Sequence, residues 1–214
     1  MKTLSFAGGL NRILCLGAHC DDIEIGCGGT VMRLVEENPQ AEILWVVFAS
    51  NPVRKAEASA CAEAFLQGAG KREILIHSYR DGFLPNHWAE VKDDFEAIKK
   101  RFAPDLILTH YRQDLHQDHR IVSELTWNTW RDHQILEYEI PKYDGDMGIP
   151  NFFVRLDQAK CDAKIAHLMK HYATQAGKQW FMEDTFRALL RLRGMEANSP
   201  TRFAEAFFGR KLSW

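Results

Sequence analysis

The chain has 214 residues, of which 46% are hydrophobic and 26% are charged, and this composition is typical of a globular domain. Its 27 basic and 29 acidic residues give a formal net charge of −2, without the basic excess that marks nucleic-acid and membrane-surface binders. No apolar run reaches the roughly 20 residues that span a bilayer, and the segment Met1–Leu10 is too short and too polar for a signal peptide.

These features argue against a nucleic-acid partner and a membrane anchor, and they predict a cytoplasmic location. The five cysteines point the same way, because they are odd in number and contain no Cys-x-x-Cys pair, a pattern typical of free thiols in a reducing compartment. A homo-oligomer is compatible with the sequence, but no pattern specifies one.

Four short apolar runs in the first half of the chain predict buried strands, at 13–18, 42–48, 73–76 and 105–109. Their continuous rather than alternating hydrophobicity is typical of parallel strands covered on both faces. Each run is followed by a helical pattern, at 30–37, 56–67, 88–102 and 121–130. Strand–helix alternation of this kind predicts an α/β fold with a parallel sheet, and the class we expect is a Rossmann-like three-layer sandwich with a mostly parallel sheet.

The second half of the chain has a weaker pattern. The stretch 138–153 is rich in Pro, Gly and Asp and predicts a loop, followed by a strand at 152–156 and by helices at 158–174 and 180–193. No internal repeat, low-complexity tract or linker interrupts the sequence, so we expect residues 1–214 to form a single domain.

The first candidate site motif follows the first predicted strand. It places His19 close to two adjacent carboxylates, Asp21 and Asp22, at the edge where open parallel sheets bind ligands. Burying these three groups is costly unless they have partners, and a metal ion would account for the cost because His and Asp are ordinary zinc ligands. One carboxylate can hold the ion while its neighbour faces the water that the ion binds.

Three glycines follow this motif, at positions 26, 28 and 29, and predict a tight turn into the first helix. They have neither the Gly-x-Gly-x-x-Gly spacing nor the Lys-Ser/Thr ending of phosphate-binding loops. Nucleotide binding at this turn is therefore disfavoured.

The second candidate motif, Asp114 to His119, follows the fourth predicted strand. In it His116 and His119 flank Asp118, so that one imidazole can bind a metal while the other stays free for substrate. Asp118 could orient either ring through a hydrogen bond. His-x-x-His and Asp-Asp pairs are weak signals alone, but both motifs follow strands of one predicted sheet, and together they indicate a metal site.

At these residues the sequence resembles the PIG-L/LmbE-like deacetylase family. The segments 18–24 (Ala-His-Cys-Asp-Asp-Ile-Glu) and 116–119 (His-Gln-Asp-His) are similar to the family's two motifs. Cys20 and Gln117 replace the usual prolines, neither of which is a ligand. Shorter similarities extend the resemblance over most of the chain, at 54–57, 81–84, 171–175, 193–194 and 204–207.

The resemblance implies a zinc-dependent hydrolase that removes an N-acetyl group from an amino sugar, with iron(II) as another ion that the site could hold in the cell. His19, Asp22 and His119 would bind the metal. Asp21 would be the general base for the metal-activated water, and His116 would act as an electrophile or acid at the carbonyl oxygen.

The remaining implied roles concern the substrate, an N-acetylated small-molecule sugar. Arg54 and Asp81 would hold sugar hydroxyls, and Asp118 would orient His116. Trp127, Trp130 and Trp180 could stack on sugar rings, although core packing is the commoner role of large aromatics. His110, which ends the fourth strand, has no assigned role and is expected to be an internally satisfied polar residue.

Two other functions remain open at this point. The first is a zinc-dependent amidase that acts on a thiol conjugate, which the same family also includes. The second is a non-catalytic carbohydrate-binding domain, which would need neither a metal nor the adjacent carboxylates Asp21 and Asp22.

Overall fold

A computed structural model describes residues 9–212, so most of the segment judged too polar for a signal peptide lies outside the described residues. Within them the chain forms seven β-strands and six α-helices. The strands are β1 (Arg12–Gly17), β2 (Glu42–Ala49), β3 (Lys71–Tyr79), β4 (Leu106–His110), β5 (Gln134–Tyr138), β6 (Phe152–Leu156) and β7 (Phe203–Gly209). The helices are α1 (Asp22–Glu37), α2 (Pro52–Phe65), α3 (Trp88–Arg101), α4 (Gln117–Thr129), α5 (Gln158–His171) and α6 (Glu183–Glu196).

The strands form one sheet in the order β3-β2-β1-β4-β5-β7-β6. The five strands from β3 to β5 pair in parallel, whereas β7 is antiparallel to both of its neighbours. The predicted α/β class with a mostly parallel sheet is therefore confirmed.

Helices cover both faces of this sheet, because successive side chains of a strand point to opposite faces. In β1, Ile13 and Cys15 pack in a core cluster with residues of α1, α2, α5 and α6. Leu14 and Leu16 pack in a second cluster with residues of α3 and α4. The three-layer sandwich is confirmed, and the burial of both sheet faces explains why the parallel strands are apolar along their whole length.

The predicted glycine turn is wrong, because α1 begins at Asp22 rather than at position 30 and contains all three glycines. These glycines allow other side chains to pack closely against α1, and they do not form a backbone turn. A Cβ on Gly26 would lie 2.1 Å from Cδ2 of Tyr138, a distance that no packed pair of carbons tolerates. The second motif is also helical, since α4 begins at Gln117 rather than at 121.

Two strands, β5 and β7, were not predicted, and the loop expected from 138 starts one residue later, because Tyr138 ends β5. Each of these strands carries a buried glutamate that interrupts its apolar pattern. Glu137 of β5 is paired with Arg210 at 2.5 Å, and Glu205 of β7 is paired with Lys164 at 2.6 Å. A hydrophobicity pattern does not reveal a buried charge whose partner is distant in sequence.

The bounds of the other predicted strands and helices agree with the structure to within a few residues, including the strand at Phe152–Leu156. All five cysteines are free and buried. Within residues 9–212 no helix has the length and apolar character that crossing a bilayer requires. Of the three tryptophans, Trp130 is buried in the second core cluster, and Trp127 packs half-buried against the same cluster.

Replacing Gly26 by Ala should destabilise the protein. Overpacking against Tyr138, whose ring is fully buried and whose hydroxyl donates to Leu16 O at 2.6 Å, should cost about 2 kcal/mol or more. For a chain of this size that lowers the melting temperature by roughly 4–8 °C, measured by calorimetry. Gly177→Ala is the control, since its Cβ would meet nothing within 4 Å; equal melting temperatures for the two variants would contradict the packing role of Gly26.

Candidate functional site

The site forms where two strands end side by side. β1 and β4 are neighbours that pair in parallel, with Leu14 opposite Ile107, so their carboxyl ends lie at the same edge of the sheet. β1 leads into α1 and β4 into α4. Asp22 is the first residue of α1, and His119 lies in the first turn of α4. The sheet topology thus brings the two sequence motifs together.

The three residues predicted as metal ligands converge on one point. Nδ1 of His19 lies 3.1 Å from Nε2 of His119 and 3.3 Å from Oδ2 of Asp22. Nε2 of His119 lies 3.5 Å from Oδ1 of Asp22. One nitrogen of each ring and the carboxylate are therefore within one coordination sphere of one another.

This donor set fits a divalent ion. Donor atoms bound about 2.0–2.1 Å from a tetrahedral zinc are about 3.3 Å apart, close to the separations between these three side chains. Two imidazoles and one carboxylate are typical of a zinc site with an open position, and the same ligand types also suit iron(II). Two overlapping groups of potential ligands share two of these residues, namely His19–His116–His119 and Asp22–His110–His119. A third group, His19–Asp81–Asp118, lies on the other side of the His19 ring, at Nε2.

His110 also lies at the site, where its position at the end of the fourth predicted strand allowed it to reach, although the sequence gave it no role. It is fully buried at the end of β4, and its Nε2 lies 3.1 Å from Oδ2 of Asp22. That nitrogen accepts the backbone N–H of Ala18 at 2.9 Å, which occupies the lone pair that a metal would need. His19, Asp22 and His119 therefore fit an ion better than the group that contains His110. The expectation that His110 is fully satisfied is wrong, because its Nδ1 has no hydrogen-bond partner among the described residues.

Asp114 fixes the ring of His119. Its Oδ2 lies 3.0 Å from Nδ1 of His119, its Oδ1 accepts the amide of His116 at 2.8 Å, and Lys142 donates to Oδ2 at 2.9 Å. A carboxylate that accepts the N–H of a ligand histidine sets the tautomer and orientation of that ring. The sequence motif contained Asp114 but gave it no role.

The carboxylate of Asp118 is fully buried and contacts the other ligand histidine. Its Oδ2 lies 3.1 Å from Nε2 of His19 and accepts the amide of Gly82 at 2.7 Å, while Oδ1 accepts the amide of Leu84 at 3.1 Å. Its contact with His116 runs through the main chain, since the Asp118 amide donates to Nδ1 of His116 at 3.2 Å. The role of Asp118 in orienting His116 stays a prediction, and the structure adds His19 as a partner.

The other predicted residues lie around the ligands. Nη2 of Arg54 is 3.0 Å from Oδ1 of Asp21, whose Oδ2 is buried without a hydrogen-bond partner in the described part of the chain. Burial raises the pKa of Asp21 above its ordinary value, against the opposing charge of Arg54. Oδ1 of Asp81 is 3.2 Å from Nε2 of His19, and the Asp81 side chain is 75% exposed.

Behind the ligands, the segment after α5 packs against the first motif. Tyr172, which is fully buried, donates its hydroxyl proton to Oε1 of Glu24 at 2.5 Å and also contacts the carbonyl of Cys20. Burial raises the pKa of Glu24 to about 8. The similarity seen at 171–175 therefore corresponds to a contact that holds the start of α1.

Two adjoining cavities open at the site. The inner cavity, of 220 Å³, is lined by the three predicted ligands together with Asp21, His116 and part of the loop 139–151, which we call the rim loop. The outer groove, of 690 Å³, is lined by Ser50, Asn51, Arg80 and Thr174 among others. Five residues line both, namely His19, Arg54, Asp81, Gln175 and Lys178. Trp180 lines the inner cavity, so one of the three tryptophans reaches the site.

Fold and site together define a Rossmann-like α/β protein with a two-histidine, one-aspartate cluster at the carboxyl edge of its sheet. Residues 14–130, more than half of the 214, match the PIG-L family, which is described as GlcNAc-PI de-N-acetylase. The chain belongs to this family, as the resemblance of its two motifs implied.

Among curated proteins, the uncharacterized deacetylase YaiS of Escherichia coli (strain K12) is 27% identical over 177 residues, which are 78% of this chain and 94% of YaiS. Among solved structures, N,N'-diacetylchitobiose deacetylase from Pyrococcus horikoshii matches with a TM-score of 0.69 and 20% identity, over 94% of this chain and 84% of that one. The 4-carboxy-2-hydroxymuconate hydratase GalB from Pseudomonas putida KT2440 matches with a TM-score of 0.73 and 14% identity, over 95% and 98%. These structures confirm the fold alone, whereas the family places the chain among deacetylases.

Replacing Asp114 by Asn should weaken metal binding by the free protein about 10- to 100-fold, because the variant loses the charge that fixes His119. The dissociation constant for Zn²⁺ can be measured by competition with a chromogenic chelator. Asp94→Asn is a matched control, since Asp94 also contacts a histidine, with its Oδ2 3.2 Å from Nδ1 of His77, but lies outside the site. Unchanged affinity in the Asp114 variant would show that the His119 ring needs no such support.

Proposed function

We propose that the chain is a metal-dependent hydrolase that removes the N-acetyl group from an amino sugar, an N-acetylglucosamine-like glycoside or sugar nucleotide. The observation that carries this proposal is the convergence of His19, Asp22 and His119 in a cavity that also contains Asp21. Three protein ligands with a free carboxylate beside them are typical of a catalytic rather than a structural metal centre. Membership of the PIG-L family supports an acetylated nitrogen as the reacting group.

His19, Asp22 and His119 would hold the ion, which we take to be zinc, with iron(II) as the alternative in the cell. When bound, the ion would lower the pKa of water to about 7 and polarise the acetyl carbonyl. Asp22 is suited to this task before any ion arrives. Burial opposes the charge on Asp22, but His119, His110 and His19 hold its pKa well below its ordinary value, and metal ligands must be deprotonated.

Asp21 is the proposed general base. Arg54 forms an ion pair with Oδ1 of Asp21, and Oδ2 has no hydrogen-bond partner among residues 9–212. Oδ2 can therefore accept a proton from the attacking water. A raised pKa improves a carboxylate as a base near neutral pH, and burial raises that of Asp21. The ion pair with Arg54 keeps the carboxylate charged and fixes its orientation.

His116 is the proposed electrophile at the carbonyl oxygen. Its Nδ1 accepts a hydrogen bond from the Asp118 amide, which leaves the proton of the neutral ring on Nε2. That N–H can donate a hydrogen bond to the carbonyl oxygen as negative charge develops there, and the proton that Asp21 takes from water passes to the departing nitrogen. Overall, water adds to the acetyl carbon, the C–N bond breaks, and the products are acetate and a free amine.

The shape of the site supports a substrate larger than a single sugar ring. The inner cavity of 220 Å³ adjoins a groove of 690 Å³, and Arg54 and Asp81 line both, where they could bind sugar hydroxyls. The part of the substrate beyond the acetylated ring would then lie in the groove. The five free thiols support a reducing, cytoplasmic compartment for this reaction.

The proposal is tested by acetate release from a panel of N-acetylglucosamine glycosides and nucleotide-linked N-acetyl sugars, with mercapturate-type amides for comparison. We expect equal amounts of acetate and free amine from at least one sugar, lost with a chelator and restored by Zn²⁺ or Fe²⁺. Hydrolysis of the thiol conjugates alone would favour the amidase. Metal-independent sugar binding without hydrolysis would favour a carbohydrate-binding domain, and hydration of a double bond without acetate release would indicate chemistry like that of GalB.

Replacing Asp21 by Asn should slow deacetylation about 100-fold or more, the usual effect of losing an acid–base group, while metal content stays near that of the unaltered protein. Both are measured on the same preparation, by amine release and by atomic absorption. The Asp94→Asn protein should keep its normal rate. A near-normal rate for the Asp21 variant with its metal bound would remove Asp21 from the mechanism.

A further inference from the structure

The rim loop, residues 139–151, connects β5 to β6 without regular secondary structure. Five of its residues, from Ile140 to Asp144, form part of the wall of the inner cavity. Much of the loop faces solvent, since Tyr143 is 75% and Ile149 is 93% exposed. A segment with so few buried apolar contacts needs polar anchors to keep one conformation.

Lys142 provides such an anchor at the cavity. Its side chain is only 13% exposed, and its ammonium group donates to Oδ1 of Asp146 at 2.6 Å and to Oδ2 of Asp114 at 2.9 Å. Asp146 in turn accepts the amide of Leu115 at 2.6 Å. The network joins the rim loop to the segment that immediately precedes α4.

The oxygen that Lys142 contacts is the same one that fixes a metal ligand. Oδ2 of Asp114 meets both Nζ of Lys142 and Nδ1 of His119, the latter at 3.0 Å. A shift of Lys142 therefore removes a positive charge from beside the oxygen that orients the His119 ring and frees that oxygen to move. Because both bonds are largely buried, solvent screens this coupling only weakly.

We propose that Lys142 is a positioning residue that couples the conformation of the rim loop to the metal ligand His119. The inference rests on the proposed metal-dependent function. Coupling between two sites is reciprocal, so metal binding orders the loop that forms the substrate wall, and an ordered loop strengthens metal binding.

The first test needs no variant. Hydrogen–deuterium exchange of the full chain is followed by mass spectrometry with saturating Zn²⁺ and with chelator, and peptides that cover 140–146 are compared with peptides from β2. We expect Zn²⁺ to slow exchange in the rim loop and to leave β2 unchanged. Exchange in the loop that is the same with and without Zn²⁺ would overturn the inference.

The second test uses Lys142→Met, which keeps most of the unbranched apolar stem of the side chain and removes its charge. We expect faster exchange of the rim loop that no longer responds to Zn²⁺. We also expect a Zn²⁺ dissociation constant raised about threefold to tenfold, less than for loss of a direct partner of a ligand, and a higher KM with a smaller change in kcat. Lys92→Met is the matched control, because Lys92 is similarly buried and contacts Glu96 and Thr129 far from the site.

A merely structural role for Lys142 predicts a different result. The variant would then show a loosened loop and a raised KM with normal Zn²⁺ affinity, and that combination would refute the coupling. Circular dichroism and the melting temperature establish that the variant is folded. If the unaltered chain binds no divalent ion at all, the proposed function fails together with this inference, whereas Zn²⁺ binding without a response of the loop refutes the inference alone.

Discussion

The site depends on two carboxylates that lie behind the imidazoles of His19 and His119. Asp114 accepts the Nδ1–H of His119 and Asp118 accepts the Nε2–H of His19, so in the neutral rings Nε2 of His119 and Nδ1 of His19 are the nitrogens that could bind an ion. These are the two nitrogens that lie 3.1 Å apart beside Asp22. The rings have opposite tautomers because their partners lie on opposite sides, and both partners are almost fully buried. Without them neither ring would have a fixed orientation or a fixed tautomer.

The position of α1, which carries Asp22 at its first residue, depends on the buried ion pair between Lys164 and Glu205. Lys164 donates to the carbonyl of Ile25 and to Glu205, each at 2.6 Å, and Glu205 accepts the amide of Gly29 at 2.8 Å. The carbonyl and the amide are four residues apart, the spacing that an α-helix normally joins. The ion pair thus links α5 and β7 to the helix backbone one to two turns after Asp22. A buried ion pair of this kind contributes less to the free energy of unfolding than to selecting one packing arrangement of the helix among several.

Sequence patterns predicted the parts of the fold and site that follow from local rules. Apolar runs located four of the five parallel strands, and the rule that ligands bind at the carboxyl ends of such strands placed His19 and His119 at one edge of the sheet. The patterns failed where a buried charge has a distant partner, as in β5 with Glu137 and β7 with Glu205. They also failed at Gly26, because a tight backbone turn and a close packing contact both require glycine, so the residue type alone does not distinguish them. Lys142 was missed for a related reason, since only the path of the chain between β5 and β6 brings it to Asp114.

Asp21 and Asp22 show how one motif supplies two different functions. They are adjacent in sequence and both buried, yet their surroundings shift their pKa values in opposite directions. Asp22 faces three imidazoles, which outweigh the effect of burial and lower its pKa. Burial raises the pKa of Asp21, against the opposing charge of Arg54. A carboxylate that stays charged suits a metal ligand, and one that takes up a proton more readily suits a base. A single site can obtain both roles when the surroundings separate the pKa values of two neighbouring groups in this way. Here the separation arises because the two side chains at the start of α1 have different neighbours, the imidazoles for Asp22 and Arg54 for Asp21.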